Sequence, residues 1–170
     1  WFPQRELQAL SQDSRLSGDI KLQPCHPQLA FYGCQADLFH LNESNFSVSK
    51  LNYYLKRSDS ILINIANSGE IGYTITYDYT YPVPAPTNLA QAYKAYYQVF
   101  LPAASRNLSI SLDNQAITAE LIKQTTLGGI SKLEFSGEQL INQPHRLVIN
   151  FTSARTLDLK KPQIPFTLSY

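Results

Sequence analysis

This sequence predicts a mainly β protein, an antiparallel β-sandwich of immunoglobulin-like type with about eight strands behind a short mixed N-terminal segment. Two observations carry that prediction. Apolar residues recur at every second position over most of the chain, the period of a strand with one buried face. Turn residues interrupt the alternation at a spacing of roughly 8–12 residues, as they do in sandwiches. Composition agrees: 11 Tyr and 8 Phe with 44% hydrophobic residues favour strands. At 170 residues the chain reads as one domain, 1–170, large enough to bury roughly 70 per cent of its unfolded surface.

The elements follow in order. Glu6 to Leu10 and the polar stretch Ser11 to Ser17 predict a short strand and a short helix before Ile20-Lys21-Leu22. Ile61, Ile63 and Ile65, the turn residues Asn67-Ser68-Gly69-Glu70, and then Tyr73, Ile75, Tyr77, Tyr79 and Tyr81 alternating with Thr74, Thr76, Asp78 and Thr80 form the clearest β-hairpin. Pro82, Pro84 and Pro86 mark a loop, because proline lacks the donor a central strand needs. Tyr93, Ala95, Tyr97, Val99 and Leu101 form the next strand, stopped by Pro102. Leu108, Ile110 and Leu112, the turn Asp113-Asn114, and Ile117, Ala119 and Leu121 predict a second hairpin. Leu133 to Phe135, ended by Ser136-Gly137, then Leu147, Ile149 and Phe151, and finally Ile164, Phe166, Leu168 and Tyr170 complete the set.

A net charge of +1 with 16% charged residues leaves no electrostatic footprint for nucleic acid or acidic lipid. No apolar run approaches the ~20 residues of a membrane helix, so no membrane contact by this segment is expected. The chain lacks Met and opens Trp1-Phe2-Pro3, which predicts a segment or processed form of a longer protein. Cys25 and Cys34 flank a stretch containing Pro27 and Gly33 that lets the chain double back. A disulfide closing that loop is worth roughly 2–3 kcal/mol and implies an oxidising compartment; two core thiols are the alternative. With His26 they give too few ligands for structural zinc, and neither metal nor cofactor is expected.

The residues offer little catalytic machinery. His26, His40 and His145 lie outside any nucleophile motif, and no Gly-x-Ser-x-Gly elbow occurs. Asp37, Asp59, Asp78, Asp113 and Glu134 are isolated in turn or strand contexts. Gly128-Gly129 lacks the lysine and spacing of a phosphate-binding loop. Tyrosines cluster, and cross-strand pairing within the sheet explains them first. The alternative is an exposed ligand face of Tyr73, Tyr77, Tyr79, Tyr93 and Tyr97, whose rings would stack on sugars. Four Asn-x-Ser/Thr sequons, at Asn42, Asn45, Asn107 and Asn150, are candidate glycosylation sites and would mark exposed turns.

The run from Cys34 to Ser58 is more particular than generic strand sequence. Asn42, Asn45 and Asn52 suit turns and backbone hydrogen bonds, while Lys50 and Arg57 can pair with Asp37 or Glu43. These six positions, Asp37, Glu43, Asn45, Lys50, Asn52 and Arg57, read as a polar seam fixing a loop against the sheet. The same run, through Glu43-Ser44-Asn45, Lys50, Asn52-Tyr53 and Arg57-Ser58, resembles bacterial exported proteins grouped as domain-of-unknown-function family 4012. Ser47 and Ser49 depart from the Gly and Asn common there. The Ile61 to Tyr81 hairpin and the Tyr96 to Pro102 strand extend the likeness, with Ala95 and Gln98 replacing that family's Asn and Arg. The resemblance implies an exported, anchored cell-surface protein with this domain outside the membrane, and it supplies no mechanism.

The expected function is therefore a non-catalytic extracellular structural or interaction module. Its partner is protein, including copies of itself joined into fibres through terminal strands. A carbohydrate-binding module using the tyrosine face is the alternative, and an enzyme domain acting on envelope polymers is the least supported reading.

Overall fold

A computed structural model describes residues 35–46, 51, 54–81, 92–140, 143–158, 160 and 166–169. The expected N-terminal strand and helix, the Cys25–Cys34 disulfide and the positions Lys50 and Asn52 lie outside the described residues.

The described residues form eleven strands in chain order: β1 (Gln35–Leu38), β2 (His40–Asn45), β3 (Lys56–Ile65), β4 (Glu70–Thr80), β5 (Ala92–Pro102), β6 (Arg106–Leu112), β7 (Gln115–Ala116), β8 (Lys123–Leu127), β9 (Ile130–Leu140), β10 (His145–Thr156) and β11 (Phe166–Ser169). Two antiparallel sheets form a sandwich, one of five strands in the order β3-β4-β10-β6-β7 and one of four in the order β2-β5-β9-β8. Strand β10 inserts between β4 and β6, so the five-stranded sheet is completed only when residues 145–156 return to it. Among the described residues no helix is long and apolar enough to cross a membrane.

The alternation seen in the sequence is the burial pattern of the central strands. Ile71, Tyr73, Ile75, Tyr77 and Tyr79 of β4 and Leu147, Ile149 and Phe151 of β10 face Tyr93, Ala95, Tyr97, Val99 and Leu101 of β5 and Leu133 and Phe135 of β9. Burying such side chains stabilises by about 1.5–3 kcal/mol each relative to exposure. The first hairpin has the expected turn: Ala66 N–H donates to Glu70 O (2.9 Å) and Gly69 N–H to Ala66 O (2.8 Å). Gly69 has φ +83°, and a Cβ there would lie 2.0 Å from Leu157 O, so only glycine lets the turn dock on the end of β10.

Several elements differ from expectation. The second hairpin turns at Asp113 (φ 51°) and Asn114 (φ 64°), the left-handed pair of a type I′ turn. Its return strand β7 then pairs for only two residues. A 3-10 turn at Ala119–Leu121 replaces further pairing, because the chain crosses here to the opposite sheet, with Ile117 and Ile122 packed against the core. There it forms β8, whose side chains are all exposed and therefore show no apolar alternation. Gly128 (φ 58°) and Gly129 (φ 81°) make another type I′ turn into β9. Strand β9 runs through Ser136-Gly137 instead of ending there. A Cβ on Gly137 would meet Leu112 Cδ2 at 2.8 Å and Tyr97 Cε2 at 3.1 Å, so this glycine is a small residue required by packing. Finally, β11 pairs in parallel with β1, Gln35 opposite Phe166 and Leu38 opposite Ser169. This strand of the C-terminal segment thus has a partner in its own chain.

Candidate functional site: a tyrosine-lined clamp between the sheets

Residues 41, 43 and 45 share one face of β2, and Leu41 is in the core. Register then turns the Glu43 carboxylate inward, opposite Tyr97. Across the sandwich, Arg57 lies opposite Tyr79 on the edge strand β3. A buried carboxylate requires donors, and Glu43 receives four hydrogen bonds. Arg57 Nε donates to Oε2 (3.1 Å) and Arg57 Nη2 to Oε1 (3.0 Å). The Tyr79 hydroxyl donates to Oε2 (3.1 Å), and the Tyr93 hydroxyl donates to Oε1. Arg57 Nη2 also donates to the Tyr93 hydroxyl (3.1 Å), and its guanidinium lies about 6 Å from the ring centroids of both tyrosines.

The network continues inward. Tyr97 is hydrogen-bonded to Tyr79 and accepts from Gln139 Nε2 (2.6 Å). Burial, followed by the Glu43 charge, holds the Tyr93 hydroxyl firmly protonated; burial does the same for Tyr79 and Tyr97. Burial pushes Tyr81 up to about 12, with Arg57 pulling the other way. Burial lowers the Arg57 guanidinium and the Glu43 contacts more than reverse that, leaving it raised. The chemistry is that of a clamp. Its hydroxyls are locked as donors, and its carboxylate ties a strand of one sheet to a strand of the other at their common edge.

Asp37 does not join this group. Its Oδ2 accepts from the Tyr73 hydroxyl (2.7 Å), and Tyr73 is six residues from Tyr79 along β4, roughly 20 Å at strand rise. The Tyr73 ring stacks on Phe151 (4.7 Å between centroids), which stacks on Phe39 (6.1 Å). Asn45 is half-buried opposite Ala95. The expected seam is therefore distributed: Glu43 and Arg57 meet, and Asp37 is held elsewhere.

The five tyrosines expected to form a ligand face, Tyr73, Tyr77, Tyr79, Tyr93 and Tyr97, are 0–5% exposed. They share parity with Ile71, Ile75, Val99 and Leu101 and so point between the sheets, which corrects that expectation. The sequons do not mark exposed turns as a group either. Only Asn107 is exposed at the start of β6. Asn42 Nδ2 donates to Gln98 Oε1 (3.0 Å) and Asn150 Nδ2 to Ser109 Oγ (3.2 Å), both within sheet faces.

Two groups were not anticipated. His145 is buried with Nδ1 2.6 Å from Asp113 Oδ2 and Nε2 2.6 Å from Leu140 O, while Arg146 N–H donates to Asp113 Oδ1 (2.8 Å). Both ring nitrogens are engaged, so the histidine pins the β6–β7 turn to the start of β10. On the outer face of the four-stranded sheet, Glu134 Oε1 accepts from Tyr96 (2.7 Å), Gln98 Nε2 (3.0 Å) and Lys132 Nζ (3.1 Å). The hydrogen bonds from Tyr96 and Gln98 hold its carboxyl at about 2. Positions 96, 98 and 134 have the opposite parity to the core, the one signal in the sequence that separates Tyr96 from its buried neighbours. A cavity of about 160 Å³ under the β7–β8 crossing is lined largely by Leu108, Ile110, Ile117, Ile122 and Leu133, and none of Glu43, His145 and Glu134 is among its lining residues. Searches of family models, curated proteins and solved structures matched nothing to this chain.

Proposed function

We propose that this chain is a non-catalytic, exported structural and interaction module that binds a second copy of itself through the edge of β3. The carrying observation is that edge. Strand β3 is ten residues long, pairs only with β4 among the described residues, and exposes Leu62 (65%), Ile63 (39%) and Ile65 (49%). An edge whose second half, Ile61 to Ile65, is largely apolar offers unpaired backbone groups and is a template for strand addition. An antiparallel register centred on Leu62 pairs Leu62 with itself and Ile61 with Ile63, and keeps Lys56 and Arg57 of the two copies apart. Such an isologous contact closes as a dimer, whereas a fibre joined by the C-terminal strand must compete with the β1–β11 pairing. The family resemblance and the cysteine pair support a location outside the cytoplasm. The non-catalytic reading is supported by His145 and Glu43, whose polar atoms are committed to fixing turns and sheets.

Light-scattering mass over a concentration series tests this reading. A dimer is expected that dissociates in Leu62→Lys, which sets two ammonium groups opposite one another across the twofold. A monomer persisting at about 0.5 mM, weaker than any dimer worth about 4 kcal/mol, overturns it.

A further inference from the structure

We infer that the outer face of the four-stranded sheet carries a binding site for a neutral saccharide, with Tyr96 as its floor and Phe46 as its wall. The argument starts from register. Asn42, Gln98, Glu134 and Lys123 stand in one row across β2, β5, β9 and β8. Asn42 donates to Gln98 (3.0 Å) and Gln98 donates to Glu134 Oε1 (3.0 Å), so the amides are oriented toward the carboxylate. Tyr96 belongs to the neighbouring row, opposite Ser44 and Ser136. Its hydroxyl reaches diagonally to Glu134 Oε1 (2.7 Å), and the side chain is half-buried on this face, flanked on the two neighbouring strands by small residues. Phe46 is 68% exposed and stands nearly perpendicular beside it, 83° between planes and 5.5 Å between centroids.

An aromatic floor beside oriented amides and a carboxylate is what a pyranose ring recognises. Its C–H face stacks on the ring while hydroxyls find acceptors at the margin. Glu134 supplies the acceptor. Its side chain is 7% exposed, and Oε2 has no hydrogen-bond partner, only the ammonium of Lys123 at 3.9 Å. The Lys123 side chain is 78% exposed and can swing away to admit a sugar hydroxyl. Charge points to a neutral ligand: the three ammonium groups of Lys94, Lys123 and Lys132 stand against the two carboxylates of Glu134 and Glu138, with Lys94 3.8 Å from Glu138, and a surplus of one is too small to recruit a polyanion. This face lies on the sheet opposite to β3, and the inference is independent of the dimer.

The test is titration of the whole chain with cellohexaose and with chitohexaose, followed through backbone amide shifts. Shifts on β2, β5 and β9 are expected with at least one hexamer. Tyr96→Ala is expected to weaken binding about tenfold, as loss of one aromatic stacking contact does. Tyr96→Phe keeps the ring and is expected to retain most of the affinity in a folded protein. Leu62→Lys is expected to leave binding unchanged. The inference is overturned if neither hexamer shifts these amides at about 10 mM, if binding survives Tyr96→Ala, or if the shifts map to β3.

Discussion

Replacing Arg57 with Met isolates the contribution of the inter-sheet clamp. The substitution keeps most of the aliphatic stem but removes the two N–H groups that hold Glu43 Oε1 and Oε2 at 3.0 and 3.1 Å. Glu43 is 7% exposed and Arg57 27% by side chain, so the pair is partly screened on the cation's side only. Removing one partner of a fully buried pair costs about 3–5 kcal/mol. Here the hydroxyls of Tyr79 and Tyr93 remain on the carboxylate, and screening on the arginine side lowers the cost further, to about 2–3 kcal/mol. For a domain of this size that is a fall in Tm of about 4–12 °C. Urea denaturation of wild type, Arg57→Met, Glu43→Leu and the double variant measures the coupling. The double variant is expected to recover part of the loss, because no unpaired charge is left between the sheets. If Arg57→Met costs less than about 0.5 kcal/mol, the pair behaves as an ordinary surface contact and the clamp argument fails.

Other consequences follow from the same geometry. The Glu134 carboxyl, held near 2 by Tyr96 and Gln98, contributes stability that is complete above its unfolded value near 4.3 and is lost as pH falls toward 2. Acid titration should therefore cost wild type about 1 kcal/mol more than Glu134→Gln over that window, after allowing for solvent screening on this face. Gly137→Ala should destabilise by about 1–3 kcal/mol through collision with Leu112 and Tyr97; a neutral result in thermal unfolding would show that the sheets have slack there. Gly69→Ala should cost about 3 kcal/mol, since its Cβ meets backbone and not a movable side chain. Tyr73→Phe strips the donor from Asp37, which is 3% exposed, and should cost about 1–3 kcal/mol; Asp37→Asn in the same background should return part of it.

Much of the architecture was legible because alternation is a local property. The hairpin from Ile61 to Tyr79, the strand from Tyr93 to Leu101 and the core of β10 each announce which side chains point inward. Strand β8 was not legible, since an edge strand with two exposed faces writes no period. The continuation of β9 was hidden for the converse reason: Ser136-Gly137 looks like a turn until Leu112 arrives from the other sheet to occupy the space. The same holds for the polar groups. Parity placed Glu43 with Leu41 and Arg57 with Ile61, so an inward-facing acid and base could be read on separate strands. Their union depends on which edges the sandwich superimposes. Tyr96 and Glu134 carried only the sign of opposite parity, and the outer-face row they form needs the register of four strands.

By itself the sequence determined that the chain stacks two alternating sheets and that most of its tyrosine rings share parity with the aliphatic core, because side-chain direction along a strand depends only on odd or even position. The tertiary structure decided which strands neighbour one another, that Glu43 meets Arg57 while Asp37 meets Tyr73, and which aromatic rings remain outside. Those outcomes rest on contacts between residues far apart in the chain, and no local pattern records the register that brings them together.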